Sequence, residues 1–319
     1  MSIPYFDAHC DTLSAILRGG RALRENDFHL DLARLGRYAP AAQVFALFTR
    51  PKDMLYKEDY TKDASPEALG KVYDELLDFA LRAFAENSDV LTLCRSASEA
   101  REAWEAGRIA AFLAVEGAEL IGCSEEKLAQ AYEKGVRLVN LTWNYANALS
   151  GTNQTLGGLT DAGKHFIRTA QEMGVAVDLS HASDATFRET LEIAEKPVLA
   201  GHSSSRALCA HPRNLTDEMF TALAKKGGVA GINLYPVFLG EGASIDTAAD
   251  HVEHYLALGG EKAVCLGTDF DGIECTPAGL SGVQDMEKLY ELLLRRGHSE
   301  DLVRDIFFGN LLAFLEKAL

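Results

Sequence analysis

The sequence lacks the features that would place it in a membrane or a secretory compartment. No apolar run approaches the roughly 20 residues that a membrane-spanning helix needs. The N-terminal residues show neither the basic region nor the apolar region of a secretory signal. The six cysteines are scattered and include no C-x-x-C pair, which favours reduced thiols. We therefore expect a cytoplasmic protein that does not associate with membranes.

Positive charge is also in short supply. Lysine and arginine total 31 against 47 aspartate and glutamate residues, which gives a formal net charge of −16. Binding to a nucleic acid depends on basic side chains that neutralise the phosphate backbone. The composition therefore argues against a nucleic-acid partner.

Nucleotide-binding fingerprints are missing too, since no G-x-G-x-x-G motif or P-loop follows any predicted strand. Instead, short apolar runs alternate with amphipathic stretches such as 66–87 and 216–226, which predict helices. The runs predicted as strands are 5–9, 43–49, 109–115, 137–142, 176–180, 197–201, 229–234 and 263–267. This alternation predicts an α/β fold, a single (β/α)8 TIM-type barrel domain with parallel strands over residues 1–319. An open doubly wound sheet is the alternative.

Potential metal ligands follow five of these predicted strands. In this fold the active site lies at the C-terminal ends of the strands, so these side chains should meet. The residues are His9, Asp11, Glu116, His181, His202 and Asp269. Imidazole and carboxylate groups are the usual ligands of zinc and similar ions.

Each of these residues has a simpler interpretation when it is taken alone. His9 could hydrogen-bond to Asp11, Glu116 could pair with a basic side chain, and His181 or His202 could be an ordinary interior histidine. Together they complete two sets, because one carboxylate can bridge two cations. His9, Asp11 and Glu116 would hold one ion, and Glu116, His181 and His202 the other, as in a two-metal hydrolase.

The remaining histidines are not expected to bind metal, because they lie in predicted helices or polar loops. They are His29, His165, His211, His251, His254 and His298. We expect most of them to be solvated, although His211 lies close to Arg213 in a loop that could reach the site. Asp271 is expected to orient its neighbours or to cap the turn that follows.

Several longer stretches resemble the membrane dipeptidase family, peptidase family M19 of the amidohydrolase superfamily. The matching segments are DAHCDT at 7–12, AVEG at 114–117, GLTDAGKHFIRTAQEMGVAVDLSHAS at 158–183, GHSSSRALCAHPRNLTDE at 201–218 and GTDFDGI at 267–273. They occur in order and span almost the whole chain, and the long central segments are the most specific.

The resemblance implies a barrel with two zinc ions that Glu116 bridges, and a dipeptide as substrate. It implies that a hydroxide shared by the two zincs attacks the peptide bond and that Asp269 transfers the proton. It also implies that Arg213 binds the free C-terminal carboxylate and that a D-residue is tolerated at the second position. The alternative for Arg213 is a surface ion pair with Asp217 or Glu218.

One position departs from the family pattern. Many members carry a histidine after the fourth strand that helps to polarise the scissile carbonyl, and Trp143 stands at that place here. Asn144 or Tyr145 could donate a hydrogen bond to the substrate instead, so both are candidate substrate-binding residues. Other binuclear amidohydrolases, such as a lactonase or an N-acyl amino acid amidase, remain alternatives, as does a catalytically impaired metal-binding barrel. A homodimer is a possible assembly.

Overall fold

Nine strands form within residues 2–49 and 65–319, the parts of the chain that the computed structural model describes. They are β1 Tyr5–Cys10, β2 Ala41–Leu47, β3 Leu91–Leu93, β4 Ile109–Val115, β5 Val136–Asn140, β6 Ala176–Asp178, β7 Leu199–Ala200, β8 Val229–Ile232 and β9 Val264–Leu266. Nearly all of their residues are buried, because the strands of a parallel barrel are covered on both faces.

Eight of these strands close into a parallel barrel. The hydrogen-bonded order runs from β2 through β1, β9, β8, β7, β6 and β5 to β4, and β2 also pairs with β4. The predicted (β/α)8 fold is therefore confirmed. The sequence reasoning missed β3, a three-residue strand outside the closed ring. Within residues 2–49 and 65–319 it pairs with the first half of β4 alone. Its sequence, Leu-Thr-Leu, is too short to show the hydrophobic pattern that predicts a strand.

Helices connect the strands around the outside of the barrel. They are α1 Thr12–Gly19, α2 Leu32–Leu35, α3 Pro66–Glu86, α4 Ala97–Glu105, α5 Glu125–Glu133, α6 Asp161–Met173, α7 Asp184–Ile193, α8 Asp217–Lys225, α9 Pro236–Leu239, α10 Ile245–Ala257, α11 Met286–Arg295, α12 Glu300–Arg304 and α13 Asn310–Ala318. Most begin at a serine or threonine whose hydroxyl accepts a backbone N–H, as at Ser96, Thr160 and Thr216. Over residues 2–49 and 65–319, no helix combines the length and the apolar character that crossing a membrane requires.

A packed apolar layer fills the barrel below the strand ends. One cluster of buried side chains takes members from all eight barrel strands, from Phe6 in β1 to Cys265 in β9, and continues into Leu311 and Phe314 of α13. The Phe6 and Phe112 rings stack in it, with centroids 5.7 Å apart. This floor leaves the C-terminal ends of the strands as the open face on which polar side chains can collect.

Glycine allows β7, β8 and β9 to approach closely near that face. A Cβ atom at Gly231 would lie 1.9 Å from the carbonyl oxygen of Gly201 and 2.8 Å from Cα of Gly267. Both neighbours are backbone atoms, so the strands would have to move apart to admit a methyl group.

We expect Gly231→Ala to lower the free energy of unfolding by at least about 3 kcal/mol, the upper part of the range for overpacked cores. Urea unfolding followed by circular dichroism measures this change. Gly70→Ala is the matched control, because Gly70 lies inside α3 and its nearest neighbour is the flexible Lys127 Nζ, 3.2 Å away. Alanine should stabilise that helix by up to about 1 kcal/mol. Equal effects at the two positions would contradict the close packing of β7, β8 and β9.

Candidate metal centre and substrate cleft

The six ligand candidates from the sequence meet at the C-terminal mouth of the barrel. All six side chains are buried, and each stands at or just after the end of a strand. They are His9 and Asp11 at β1, Glu116 after β4, His181 after β6, His202 after β7 and Asp269 after β9. The topology of the barrel therefore brings together side chains that lie up to 260 positions apart in the sequence.

His9 is at the centre of the first half of this cluster. Its Nε2 atom lies 3.6 Å from Asp11 Oδ2, 3.5 Å from Glu116 Oε2 and 3.9 Å from Asp269 Oδ1. Three carboxylates thus surround one imidazole nitrogen. The ligand atoms of His9, Asp11 and Asp269 all lie within 4.8 Å of one another, which is close enough for a single ion to contact them.

The second half of the cluster is built on the other oxygen of Glu116. Glu116 Oε1 lies 2.8 Å from His181 Nε2 and 3.6 Å from His202 Nε2. The two Nε2 atoms are 3.0 Å apart. Because Oε2 of Glu116 faces His9 and Oε1 faces the other two histidines, this carboxylate joins the two halves.

Several buried atoms of the cluster have no hydrogen-bond partner among the residues that the structure describes. They include His9 Nε2, Asp11 Oδ1 and Glu116 Oε2. Buried polar groups are normally paired, so unpaired nitrogen and oxygen atoms that converge are the signature of a cation site. Gly272 leaves space beside them, since a Cβ atom there would lie 2.0 Å from Asp11 Oδ2 and 2.5 Å from Asp269 Oδ1. The residues present therefore fit a metal centre.

The electrostatics of the cluster lead to the same conclusion. Burial, followed by the charge of Asp11, raises the pKa of Glu116 to about 8. Burial also raises the pKa of Asp269 to about 6. Burial lowers the pKa of His181 and of His202 well below its usual value, so both imidazoles keep their lone pairs. Carboxylates crowded in this way are stable as anions only beside a cation.

The pKa of His9 also indicates that these carboxylates require a nearby cation. Burial alone would lower its pKa, but Glu116 and Asp11 outweigh burial and raise it well above the usual value. A proton on His9 thus compensates the carboxylates where no other cation does. A metal ion of higher charge would displace that proton.

Further polar residues hold the cluster in place, and the sequence reasoning did not identify them. Asp7 accepts hydrogen bonds from Thr268 N at 2.9 Å and Thr268 Oγ1 at 2.6 Å, and so fixes the residue before Asp269. Asn233 Nδ2 donates to Asp269 Oδ2 at 2.9 Å. Asp7 is the first residue of the DAHCDT segment and could have been noticed there, whereas Asn233 carries no such signal.

The backbone at Asp269 and Asp271 is left-handed, with φ angles of 61° and 69°. The carboxylate of Asp271 turns away from the cluster. It accepts hydrogen bonds from Thr12 Oγ1 and from His29 N, both at 2.6 Å. Asp271 therefore orients its neighbours, as the sequence suggested, and ties the β9 loop to the segments that follow β1.

Arg213 is buried beside the metal-ligand cluster, and only 5% of it is exposed. Its Nη1 atom donates to the Ser180 carbonyl oxygen and lies 3.5 Å from Ser203 Oγ, and its Nη2 atom lies 3.1 Å from His181 Nε2. The alternative of a surface ion pair with Asp217 or Glu218 is therefore wrong. In the described part of the chain no carboxylate forms an ion pair with Arg213, and burial lowers the pKa of its guanidinium.

The two candidate substrate residues after β5 differ in position. Asn144 lies in the wall of the cleft, and its Oδ1 atom is 2.9 Å from His181 Nδ1. Tyr145 is 45% exposed and packs against the Trp143 ring, with centroids 5.4 Å apart. Tyr145 is not one of the described residues that line the cleft. Trp143 itself lies in the wall, between Phe48 and His181.

The cleft above the cluster has a volume of about 340 Å³. Its floor contains Asp11, Glu116, His181 and Asp269, and Arg213 lies in its wall. The remaining lining is mostly aromatic or amphipathic and includes Phe48, Trp143, His211, Tyr235 and Phe238. His211 thus reaches the cleft.

The expectation of a solvated side chain fails at His251, which is buried away from the cleft lining. Its Nδ1 atom accepts from Ser205 N at 3.0 Å, and its Nε2 atom lies 3.1 Å from Leu239 O.

Comparison with known proteins identifies relatives across the whole barrel. The family described as membrane dipeptidase (peptidase family M19) matches residues 1–318. Dipeptidase verJ of Clonostachys rogersoniana is 32% identical over 294 residues, which cover 91% of this chain and 76% of that protein. Dipeptidase aclJ of Aspergillus oryzae is 37% identical over 217 residues, which cover 66% of this chain and 51% of that protein.

A solved structure shares the fold over its full length. It is a metallo peptidase from Rhodobacter sphaeroides, liganded with a phosphinate mimic of the dipeptide L-Ala-D-Ala. The TM-score is 0.89 and the sequence identity 26%, and the match covers 100% of both chains. Together with the buried cluster of histidines and carboxylates at the barrel mouth, these matches show that the chain belongs to peptidase family M19, the membrane dipeptidase family, and is a metallo-dipeptidase.

Proposed function

We propose that this protein is a binuclear zinc dipeptidase that hydrolyses dipeptides with a free C-terminal carboxylate. The observation that carries the proposal is the buried guanidinium of Arg213, which has no carboxylate partner in the described residues and lines the same cleft as the metal-ligand cluster. A buried cation without a counter-ion costs free energy unless an anion binds beside it. A dipeptide carboxylate supplies that anion at a fixed distance from the scissile bond.

In this proposal His9, Asp11 and Glu116 would hold one ion, and Glu116, His181 and His202 would hold the second. The two oxygens of Glu116, which face different histidines, support a bridging role. Such ions supply an activated water at neutral pH and polarise the scissile carbonyl. The nitrogen and oxygen donor set suits zinc.

In this proposal Asp269 would move the proton. Asn233 Nδ2 holds its Oδ2 atom, and the other oxygen, Oδ1, faces His9 across 3.9 Å at the edge of the cluster. Oδ1 would accept the proton of the attacking water and then deliver it to the leaving amine. A carboxylate that Asn233 orients on one side only can make this exchange without rotating.

Arg213 would bind the substrate carboxylate through its fork of N–H groups. Asn144 also lines the cleft, and its amide group could contact the same substrate. Because the Rhodobacter sphaeroides relative was crystallised with a mimic of L-Ala-D-Ala, we propose that a D-residue is tolerated at the second position here. Parallel assays of matched Xaa-L-Ala and Xaa-D-Ala dipeptides test the class of substrate. If the zinc-reconstituted protein hydrolyses neither kind of dipeptide, the proposal is wrong.

The first prediction from the proposed function concerns the metal content of the protein. Protein reconstituted with zinc should hold about two ions per chain by elemental analysis. Glu116→Ala should weaken both sites, whereas His9→Ala should empty mainly one, because only the glutamate is shared. Removing the ions with a chelator should lower the melting temperature, since ligand binding stabilises the folded state. A single ion in the wild-type protein would contradict the two-metal assignment.

The second prediction isolates proton transfer. Asp269→Asn keeps the shape of the side chain and its contact with Asn233, but it removes the charge that accepts a proton. We expect kcat to fall by about 100-fold or more, while the zinc content stays close to that of the wild type. Asp271→Asn is the matched control, because the Asp271 carboxylate is occupied by Thr12 and His29 outside the cleft. Near-normal turnover of Asp269→Asn would mean that another group is the base.

The third prediction tests how the substrate is recognised. Arg213→Met should leave the zinc content unchanged. It should lower kcat/KM for dipeptides by a factor that corresponds to about 2–4 kcal/mol of lost transition-state binding, the cost of losing a buried charged partner. The corresponding dipeptide amides, which carry no carboxylate, should be affected far less. Arg213→Lys should restore part of the loss, because a point charge cannot reproduce the two-pronged contact. Equal losses on acid and amide would show that Arg213 does not bind the carboxylate.

A further inference from the structure

His181 is supported on its far side by two asparagines. Its Nδ1 atom lies 2.9 Å from Asn144 Oδ1, and Asn153 Nδ2 donates to the same oxygen at 3.2 Å. Asn153 also contacts the main chain of His181, because both its backbone N and its Nδ2 atom donate to the His181 carbonyl oxygen, at 3.0 Å and 3.2 Å. The three residues form one hydrogen-bonded unit in the lining of the cleft.

The direction of every hydrogen bond in this unit follows from one backbone atom. The His181 carbonyl oxygen can only accept, so the side-chain atom of Asn153 that faces it must be the NH2 group. The other hydrogen of that NH2 group points to Asn144, so the Asn144 atom that receives it must be the oxygen. An amide oxygen also only accepts. His181 must therefore donate from Nδ1, and in the neutral ring Nε2 is left with a bare lone pair.

A second contact agrees with this assignment independently. Arg213 Nη2, which can only donate, lies 3.1 Å from His181 Nε2. A hydrogen on Nε2 would point at another donor, whereas a lone pair accepts from it. Glu116 Oε1, which lies 2.8 Å from the same Nε2 atom, is an oxygen that could accept a hydrogen from it when no metal ion is bound. The asparagines and Arg213 oppose a hydrogen on Nε2, so the tautomer of the metal-free protein shows which contacts prevail.

The loop that carries Asn153 is fastened to the segment after β6. Thr152 forms an antiparallel bridge with Ala182, and Thr152 Oγ1 donates to the Asn144 carbonyl oxygen at 3.3 Å. Asn153 is buried. The loop thus holds Asn153 and Asn144 in register with the histidine next to it.

We propose that Asn153 and Asn144 are positioning residues that fix His181 in the tautomer with hydrogen on Nδ1, so that Nε2 is ready to bind a metal ion. This inference rests on the proposed function in one respect, namely that His181 is a ligand. It gives Asn144 a task other than contact with the substrate. Residues that orient a ligating histidine in this way typically contribute 10–100-fold in metal affinity.

The first test reads the tautomer in the metal-free protein. Long-range 1H–15N spectra of histidine-labelled protein, with the His181 signals assigned by their loss in His181→Gln, distinguish a protonated Nδ1 from a protonated Nε2. We expect protonated Nδ1 in the wild type. In Asn153→Asp the new carboxylate cannot donate, so the Asn144 amide should rotate and the hydrogen should move to Nε2. Protonated Nε2 in the wild type, or an unchanged tautomer in Asn153→Asp, would overturn the proposal.

The second test measures zinc affinity by competition with a chelator. Asn153→Asp and Asn144→Leu should bind the weaker of the two ions about 10–100-fold less tightly. Asn144→Asp is the matched control, because a carboxylate still accepts from both neighbours and should keep the wild-type affinity within about threefold or raise it. Equal loss in Asn144→Leu and Asn144→Asp, with matching falls in melting temperature, would indicate a merely structural role and overturn the proposal.

The two proposals can fail separately. If the wild-type protein binds a single ion, the binuclear assignment is lost, but the tautomer measured without metal still decides the role of the asparagines. If the protein binds two ions and the tautomer does not respond to Asn153→Asp, only the positioning role is lost.

Discussion

The structure of the barrel mouth depends on the attraction between buried carboxylates and a cation that they share. Asp11, Glu116 and Asp269 stand within 4 Å of one histidine nitrogen, and all three side chains are largely buried in the floor of the cleft. Three anions in such a place repel one another and lose their hydration. In the absence of metal the repulsion is relieved by protons, which explains the raised pKa values of Glu116 and His9. Two divalent ions would relieve it more completely and leave the carboxylates free to act as ligands and as a base.

The rest of the site keeps that arrangement rigid. Asp7 anchors the β9 loop through Thr268, Asn233 holds one oxygen of Asp269, and the pair of asparagines holds His181. Close packing of β7, β8 and β9 at their glycines brings the ends of those strands within reach of one another. Each of these contacts joins segments that are far apart in the sequence, so the geometry of the ligands is a property of the closed barrel. In the proposed function Arg213 would extend this arrangement to the substrate, because its buried guanidinium forms no ion pair with a carboxylate in the described part of the chain and could bind an anion in the cleft.

The fold and the positions of the ligand candidates were predictable from the sequence because both depend on local sequence patterns. Buried parallel strands appear as short apolar runs, and a polar residue directly after such a run, as at Glu116 or His202, marks the mouth of the barrel. The contacts that depend on loop conformation were not predictable. Nothing in the sequence indicates that Asn153 reaches back to His181 or that Asn233 faces Asp269. The position of Arg213 in the site was implied by the family resemblance and not by any local pattern. Tyr145 shows the converse, since proximity in sequence to Asn144 did not bring it into the cleft.

The central claim is that Glu116 joins two ions at the mouth of the barrel. Anomalous diffraction at the zinc absorption edge, from crystals of the zinc-reconstituted protein, tests it most directly. The account predicts two peaks, one on each side of the Glu116 carboxylate and each about 2.0–2.2 Å from one of its oxygens. One should lie beside His9 and Asp11, and the other beside His181 and His202. A single peak, or two peaks of which only one contacts Glu116, would contradict the account.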